Sequence, residues 1–103
     1  MAEIEFSDVA AESEIPSGGQ KVVQARGREI ALFNVEGRIY AIDNVCFHRG
    51  GPLGEGFLEG TVVTCPWHEW SFDVRTGKCT FNPNASVDTF QVRLKEGRIE
   101  VGW

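Results

Sequence analysis

Short runs of β-forming residues, each ended by a turn, recur along this 103-residue chain and limit what it can fold into. Residues 20–25, 28–35 and 38–42 predict three strands. Val35-Glu36-Gly37-Arg38 predicts the turn of a hairpin, because a glycine in a short connection favours the tight turns that join antiparallel strands. Residues 28–42 are therefore expected to form a hairpin.

The C-terminal sequence FQVRLKEGRIEV predicts a second hairpin, with apolar residues alternating on both sides of Glu96-Gly97. Short strands are also predicted between the hairpins, at 61–64, 70–73 and 79–81. The apolar pattern allows at most one helical turn, over 8–14. These features predict an all-β fold, a small antiparallel sandwich or barrel that occupies residues 1–103 as one domain.

The charge of the chain argues against nucleic acid as a partner. The formal net charge is -5, and the ten Lys and Arg residues form no cluster that could neutralise phosphates. A basic or mixed protein surface is the expected partner. The acidic start, MAEIEFSD, is unlike a secretory signal, and no apolar run approaches the roughly 20 residues that cross a bilayer. We expect a cytoplasmic protein without a membrane segment.

Two Cys/His pairs lie in the middle of the chain. Cys46 and His48 form C-x-H, and after sixteen intervening residues Cys65 and His68 form C-x-x-H. The chain has only two histidines, and each lies within three residues of a cysteine. This arrangement indicates a metal site rather than buried thiols and structural histidines. Cys79 has no such neighbour and is expected to be a small buried strand residue.

The mixed composition of each pair helps to identify which metal group is bound. Zinc accepts two cysteines and two histidines, but zinc modules usually place the two cysteines together and the two histidines together. Here each loop offers one of each, which suits a two-iron cluster with sulfur ligands on one iron and nitrogen ligands on the other. Gly50, Gly51, Gly54 and Gly56 would let backbone amides approach bridging sulfides, although turn formation explains such glycines as well.

The motifs C-x-H-x-G-G-P-L, C-P-W-H and F-D-x-x-T-G resemble those of the Rieske [2Fe-2S] proteins, and closely those of the soluble Rieske-type ferredoxins. The resemblance covers most of the chain. It implies a β-sandwich with an inserted cluster-binding subdomain at about 44–70. It further implies one [2Fe-2S] cluster, with Cys46 and Cys65 on one iron and His48 and His68 on the other, and a proline loop around Asn82-Pro83.

The resemblance also predicts a low reduction potential. High-potential family members carry an extra cysteine in each loop, where this chain has Gly51 and Trp67, so no disulfide can join the loops here. Those members also have a serine and a tyrosine that donate hydrogen bonds to sulfur, and the matching residues here are Trp70 and Phe72. Because fewer hydrogen bonds to sulfur stabilise the reduced cluster less, we expect a reduction potential of about -150 mV.

The function that the resemblance implies is electron transfer from a flavoprotein reductase to a terminal oxygenase, such as an aromatic-ring dioxygenase. The chain is expected to be a monomer. It is also expected to have no catalytic residues, since no third histidine remains to hold a mononuclear iron. Phe47 and Trp67 are the expected docking residues at the cluster tip. Two alternatives stay open: the small subunit of an assimilatory nitrite reductase, which shares the fold, and a structural zinc interaction module.

Overall fold

The computed structural model of the chain describes residues 4–45, 52–66, 70–82 and 84–103. Within these ranges it contains nine strands and two short 3-10 turns, Glu12–Glu14 and Leu53–Glu55. The strands are β1 (Phe6–Ala11), β2 (Gln20–Ala25), β3 (Arg28–Val35), β4 (Arg38–Asp43), β5 (Phe57–Glu59), β6 (Val62–Thr64), β7 (Ser71–Asp73), β8 (Thr89–Lys95) and β9 (Arg98–Gly102). None of the helices described is long and apolar enough to cross a membrane.

The strands form two sheets. The larger sheet has the order β1-β9-β8-β4-β3-β2, and the smaller has the order β5-β6-β7. The pairings described between named strands are all antiparallel. The smaller sheet lies in the chain between β4 and β8: β5 and β6 fall within 44–70, where a subdomain was expected, and β7 follows directly after it. The predicted all-β antiparallel fold is confirmed.

Three two-residue turns connect the hairpins of the larger sheet. They are Arg26-Gly27, Glu36-Gly37 and Glu96-Gly97, and both residues of each turn have positive φ, between 50° and 90°. Turns of this kind match the right-handed twist of paired strands, and glycine adopts positive φ without a steric penalty. The predicted hairpins at 35–38 and 96–97 are confirmed, with Val35 opposite Arg38 and Lys95 opposite Arg98.

The predicted helical turn over 8–14 was wrong for most of its length. Residues up to Ala11 belong to β1, and only Glu12–Glu14 form a 3-10 turn. β1 pairs with β9, and the register shifts between Asp8 and Ala10. This bulge leaves Val9 as an extra residue and breaks the period of two, so the sequence lacks the alternation that marks a strand.

Two short segments also differ from expectation. β5 was not predicted, because its three residues form a strand only through their pairing with β6. The predicted strand at 79–81 is limited to an isolated bridge between Phe72 and Cys79, beside another between Lys78 and Ser86. Pairing stops there because Asn82 begins a turn, in which its carbonyl accepts a hydrogen bond from the Ala85 N–H, at 3.1 Å.

Two apolar clusters lie on opposite faces of β3. Ile30 and Leu32 belong to the first cluster, which the larger sheet encloses. Ala31 and Phe33 belong to the second cluster, which also contains Val63 and Phe72 of the smaller sheet. The second cluster thus packs the two sheets together. Cys79 is 7% exposed and lies in it, so its predicted burial is confirmed.

Candidate metal centre

The first Cys/His loop is closed at its base by Asn44, which follows β4. The Asn44 backbone carbonyl accepts a hydrogen bond from the Leu53 N–H, and its Oδ1 accepts one from the Gly54 N–H, both at 2.7 Å. Its Nδ2 donates to Glu29 Oε1 at 3.0 Å. Val45 and Pro52 form a bridge across the same base. One buried amide therefore joins the start of this loop, its end and strand β3.

Two glycines after the first loop are required by close packing. A Cβ on Gly54 would collide with Val22 Cγ2, and a Cβ on Gly56 would collide with the Thr64 carbonyl. Glycine is therefore required at these two positions because β2 and β6 pack closely against them. The expected reason was an approach of backbone amides to bridging sulfides. Gln20 Nε2 donates to the carbonyls of both glycines, at 2.7 and 2.9 Å, and so holds this segment against the larger sheet.

The second Cys/His loop begins directly after β6. Cys65 is 1% exposed, and its thiol is free of any disulfide. Its backbone N–H donates to the Trp70 carbonyl at 2.7 Å, which joins the two ends of this loop. Pro66, the next residue, is exposed. The loop therefore starts from a buried thiol and returns to the sheet within five residues.

The bases of the two loops are neighbours in space. β5 pairs with β6 so that Phe57 lies opposite Thr64, the residue before Cys65. Leu53, at the end of the first loop, and Cys65 belong to the same apolar cluster, and both are almost fully buried. The fold therefore brings two segments that are distant in the chain to one end of the smaller sheet.

A third segment, around Asn82, lies beside the second loop. The ring of Phe81 packs edge-on against Trp70, with 5.1 Å between the ring centroids, although Phe81 is 60% exposed. Ser71 Oγ and Thr80 Oγ1 form a hydrogen bond at 2.5 Å that joins the same two segments. Asn82 thus follows directly on residues that contact the second loop, whereas its neighbour Pro83 is outside the described residues.

An ion-pair network supports the end of β4 below the first loop. The Arg28 guanidinium contacts Asp43 Oδ2 at 2.8 Å and Asp88 Oδ2 at 3.0 Å. The hydrogen bond to Asp88, followed by the one to Asp43, raises the pKa of Arg28 above its usual value. Asp43 also accepts a hydrogen bond from the Val45 N–H at 2.9 Å. This network fixes the strand end from which the first loop leaves.

Of the four predicted ligands, only Cys65 is among the described residues. Cys46, His48 and His68 lie outside the described ranges, as do Phe47 and Trp67, the predicted docking residues. No group of three His, Cys, Asp or Glu side chains suited to a metal occurs among the residues that are described.

Sequence reasoning missed the supporting residues Asn44 and Gln20. An asparagine two residues before a ligand is a weak signal for the first, whereas nothing in the sequence marks the second.

Comparison with known proteins identifies the family. The model of the Rieske [2Fe-2S] domain matches residues 5–91. The chain belongs to the Rieske [2Fe-2S] family. This Rieske protein is 42% identical, over 93 residues, to the ferredoxin component of the naphthalene 1,2-dioxygenase/salicylate 5-hydroxylase systems of Ralstonia sp., and the match covers 89% of each chain. Its relatives are thus electron-carrying ferredoxins, and the chain is an electron-transfer component rather than an enzyme in its own right.

Two solved structures show how widely this Rieske fold is shared. A chain in the complex of reduced oxygenase and oxidized ferredoxin of carbazole 1,9a-dioxygenase matches with a TM-score of 0.86 and 32% identity, covering 93% of this chain and 91% of that one. A putative NADH-dependent nitrite reductase small subunit from Mycobacterium tuberculosis matches with a TM-score of 0.92 and 25% identity, covering 99% and 97%. The backbone alone therefore does not separate ferredoxins from nitrite reductase subunits.

The residues of this Rieske protein fit a [2Fe-2S] cluster of the Rieske type, which family membership assigns to it. A cluster sulfur ligand is a cysteine thiolate, and Cys65, which is buried and forms no disulfide, provides such a sulfur. The neighbouring first loop carries the other Cys/His pair in sequence. The zinc module alternative is set aside, because the family binds iron and sulfide.

Proposed function

We propose that this chain accepts single electrons from a flavoprotein reductase and passes them to a terminal oxygenase. The observation that carries the proposal is the 42% identity to a ferredoxin component of a dioxygenase and hydroxylase system. A further structural relative is a chain from a complex of oxygenase and ferredoxin. The bound cluster supplies a one-electron redox centre. In this proposal the centre lies at the end of the sandwich where the two loops begin, so that a partner can approach it.

The proposed ligands are Cys46 and Cys65 on one iron and His48 and His68 on the other. Support comes from the sequence motif and from the neighbouring bases of the two loops. Cys79 offers a matched control, because it is also a buried cysteine of the second cluster but is not a proposed ligand. Cys65→Ser is expected to lose the visible absorbance and the paramagnetic signal that appears after reduction with dithionite, whereas Cys79→Ser keeps both. Equal loss in the two variants would contradict the ligand assignment.

The proposed docking surface is the cluster tip, with Phe47 and Trp67 as its main contacts. Exposed apolar residues near the loop bases extend the same end of the molecule: Val45, Phe57 and Phe81 are 48%, 72% and 60% exposed. Such residues commonly contribute most of the binding energy of a transient interface. A net charge of -5 also favours a partner with a basic surface.

Reconstituted electron transfer tests this function directly. The reduced protein is mixed with a Rieske oxygenase, and the return of the oxidised absorbance is followed by stopped flow. Phe47→Ala and Trp67→Ala should lower the second-order rate at least several-fold and leave the spectrum unchanged, whereas Leu94→Ala, an exposed control in β8, should not. Unchanged rates in both tip variants would contradict docking at the tip.

A second candidate is the small subunit of a nitrite reductase, which the TM-score of 0.92 favours. The partner protein distinguishes the two functions. A nitrite reductase subunit would restore nitrite reduction when it is added to a large subunit, and an oxygenase would not reoxidise it. The paired Cys/His motifs favour the ferredoxin, because an electron carrier requires a complete ligand set. We also propose that the chain is a cytoplasmic monomer with a single Rieske domain.

A further inference from the structure

A gap in the larger sheet lies between β4 and β8. The two strands pair only at Ala41 with Phe90 and at Ile42 with Thr89. Continuing that register would place Ile39 opposite Val92, but the ladder ends before this pair. A cavity of about 450 Å³ occupies the opening. Its size lies within the range of small-molecule sites, which often form at the mouths of β-barrels.

The lining of the cavity is mainly apolar, with hydroxyl groups and two guanidinium groups. Ile39 and Val92 come from the first apolar cluster, and Tyr40 and Val74 come from the second. Ile39 and Val74 are almost fully buried, so a ligand in the gap would touch the two clusters through their half-buried neighbours Val92 and Tyr40. Burial of an apolar body against such residues is the main favourable term for a small ligand.

The two guanidinium groups differ in what they can bind. Arg75 donates to both carboxylate oxygens of Asp73, at 3.1 and 2.8 Å, so its charge is already matched. Arg38 makes no ion pair within the described part of the chain and stands exposed at the cavity. Because the chain as a whole carries a charge of -5, an anion can bind only where a local cation outweighs that field. Arg38 lines the cavity and has no ion-pair partner among the described residues, so it is the cation available to an anion there.

The cavity lies toward the end of β4 that is opposite the first loop. β4 runs from Arg38, at the cavity, to Asp43, which lies next to the base of the first loop. β7 likewise runs from Ser71, beside the second loop, toward Val74 and the cavity. Occupation of the gap would leave the cluster end free for a partner.

We propose that this gap binds a small amphipathic carboxylate, with its aromatic or branched apolar body against Tyr40, Val92 and Leu94 and its carboxylate on Arg38. The proposal is independent of the partner that receives electrons. It makes the domain a binding protein for an organic acid as well as an electron carrier.

The test uses the oxidised protein with its cluster and two probes of nearly the same shape, 4-tert-butylbenzoate and 4-tert-butylbenzamide. Each is titrated while the backbone amide signals of Ile39 and Val92 are followed by nuclear magnetic resonance. The carboxylate should shift both signals to saturation and bind about tenfold more tightly than the amide, a difference of about 1.4 kcal/mol. Visible absorbance confirms that the cluster stays bound.

Arg38→Gln should remove that tenfold preference and leave binding of the amide unchanged. Lys78→Gln is the matched control, because it removes one exposed positive charge from a residue that does not line the cavity. Three results would overturn the proposal: no saturable shift at the two amides, equal affinity for both probes, or equal weakening of carboxylate binding in Arg38→Gln and Lys78→Gln.

Discussion

Replacing Asn44 with alanine tests whether one buried amide holds the first cluster loop in place. Asn44 is 3% exposed, and its side chain accepts from the Gly54 N–H and donates to Glu29. Alanine leaves the buried Gly54 N–H without an acceptor, which costs about 1–3 kcal/mol, and removes a hydrogen bond to a carboxylate. Glu29 is exposed and can bind water instead, so we expect the free energy of unfolding to fall by about 2–4 kcal/mol in total.

A loss of that size should be visible in two measurements. The urea midpoint of the protein with its cluster should fall, and the thermal midpoint should drop by roughly 10–20 °C for a domain of this length. The cluster should also be released faster under native conditions, because the loop can open without global unfolding. Decay of the visible absorbance in the presence of an iron chelator measures that release.

Asn34→Ala supplies a matched control for this effect. Asn34 is also buried, at 6% exposure, and its side chain donates to the Ile15 carbonyl at 2.7 Å and accepts from the Gly37 N–H at 2.8 Å. Asn34→Ala should lower the free energy of unfolding by a similar amount. Its effect should lie at the hairpin turn after β3 and not at the first loop. If both variants release the cluster at the same rate, Asn44 contributes only general stability, and the reasoning about the loop is refuted.

Three further predictions concern packing, pH and reduction potential. Gly54→Ala should destabilise the protein by about 1–3 kcal/mol in urea unfolding, because the new Cβ meets Val22. The hydrogen bond from Arg75 lowers the pKa of Asp73 in the folded state, so this pair stabilises the fold above about pH 4 and loses that effect as the pH falls. Asp73→Asn should therefore make the free energy of unfolding depend less on pH in the acid range. Phe72→Tyr should raise the midpoint potential in a redox titration, if the new hydroxyl reaches a sulfur ligand.

Each of these predictions has a result that would contradict it. Gly60→Ala, at a turn where a Cβ meets no atom within 4 Å, should cost only the strain of its positive φ, so an equal loss would argue against a packing effect at Gly54. An acid profile unchanged by Asp73→Asn would mean that other carboxylates control it. A constant potential in Phe72→Tyr, with the fold intact, would remove the explanation offered for a low value.

The sequence could predict the elements whose signals are local. Two of the three hairpins, at 35–38 and 96–97, were predicted, because glycine at a tight turn between two short strands is a signal contained within about ten residues. The two Cys/His pairs predict a metal site, because metal ligation demands those residue types, and the motifs around them resemble those of the Rieske family, which the family match confirms. The strand β1 escaped prediction, since it depends on pairing with β9 at the far end of the chain.

Tertiary structure alone decided which residues support the metal centre and where the sheet opens. Asn44 and Gln20 look like ordinary polar residues in the sequence, but each bridges segments brought together by folding. Gly54 and Gly56 read as turn residues, whereas the structure shows that β2 and β6 leave no room for a side chain. The divergence of β4 from β8 depends on the packing of two sheets, and no short stretch of sequence encodes such a long-range arrangement.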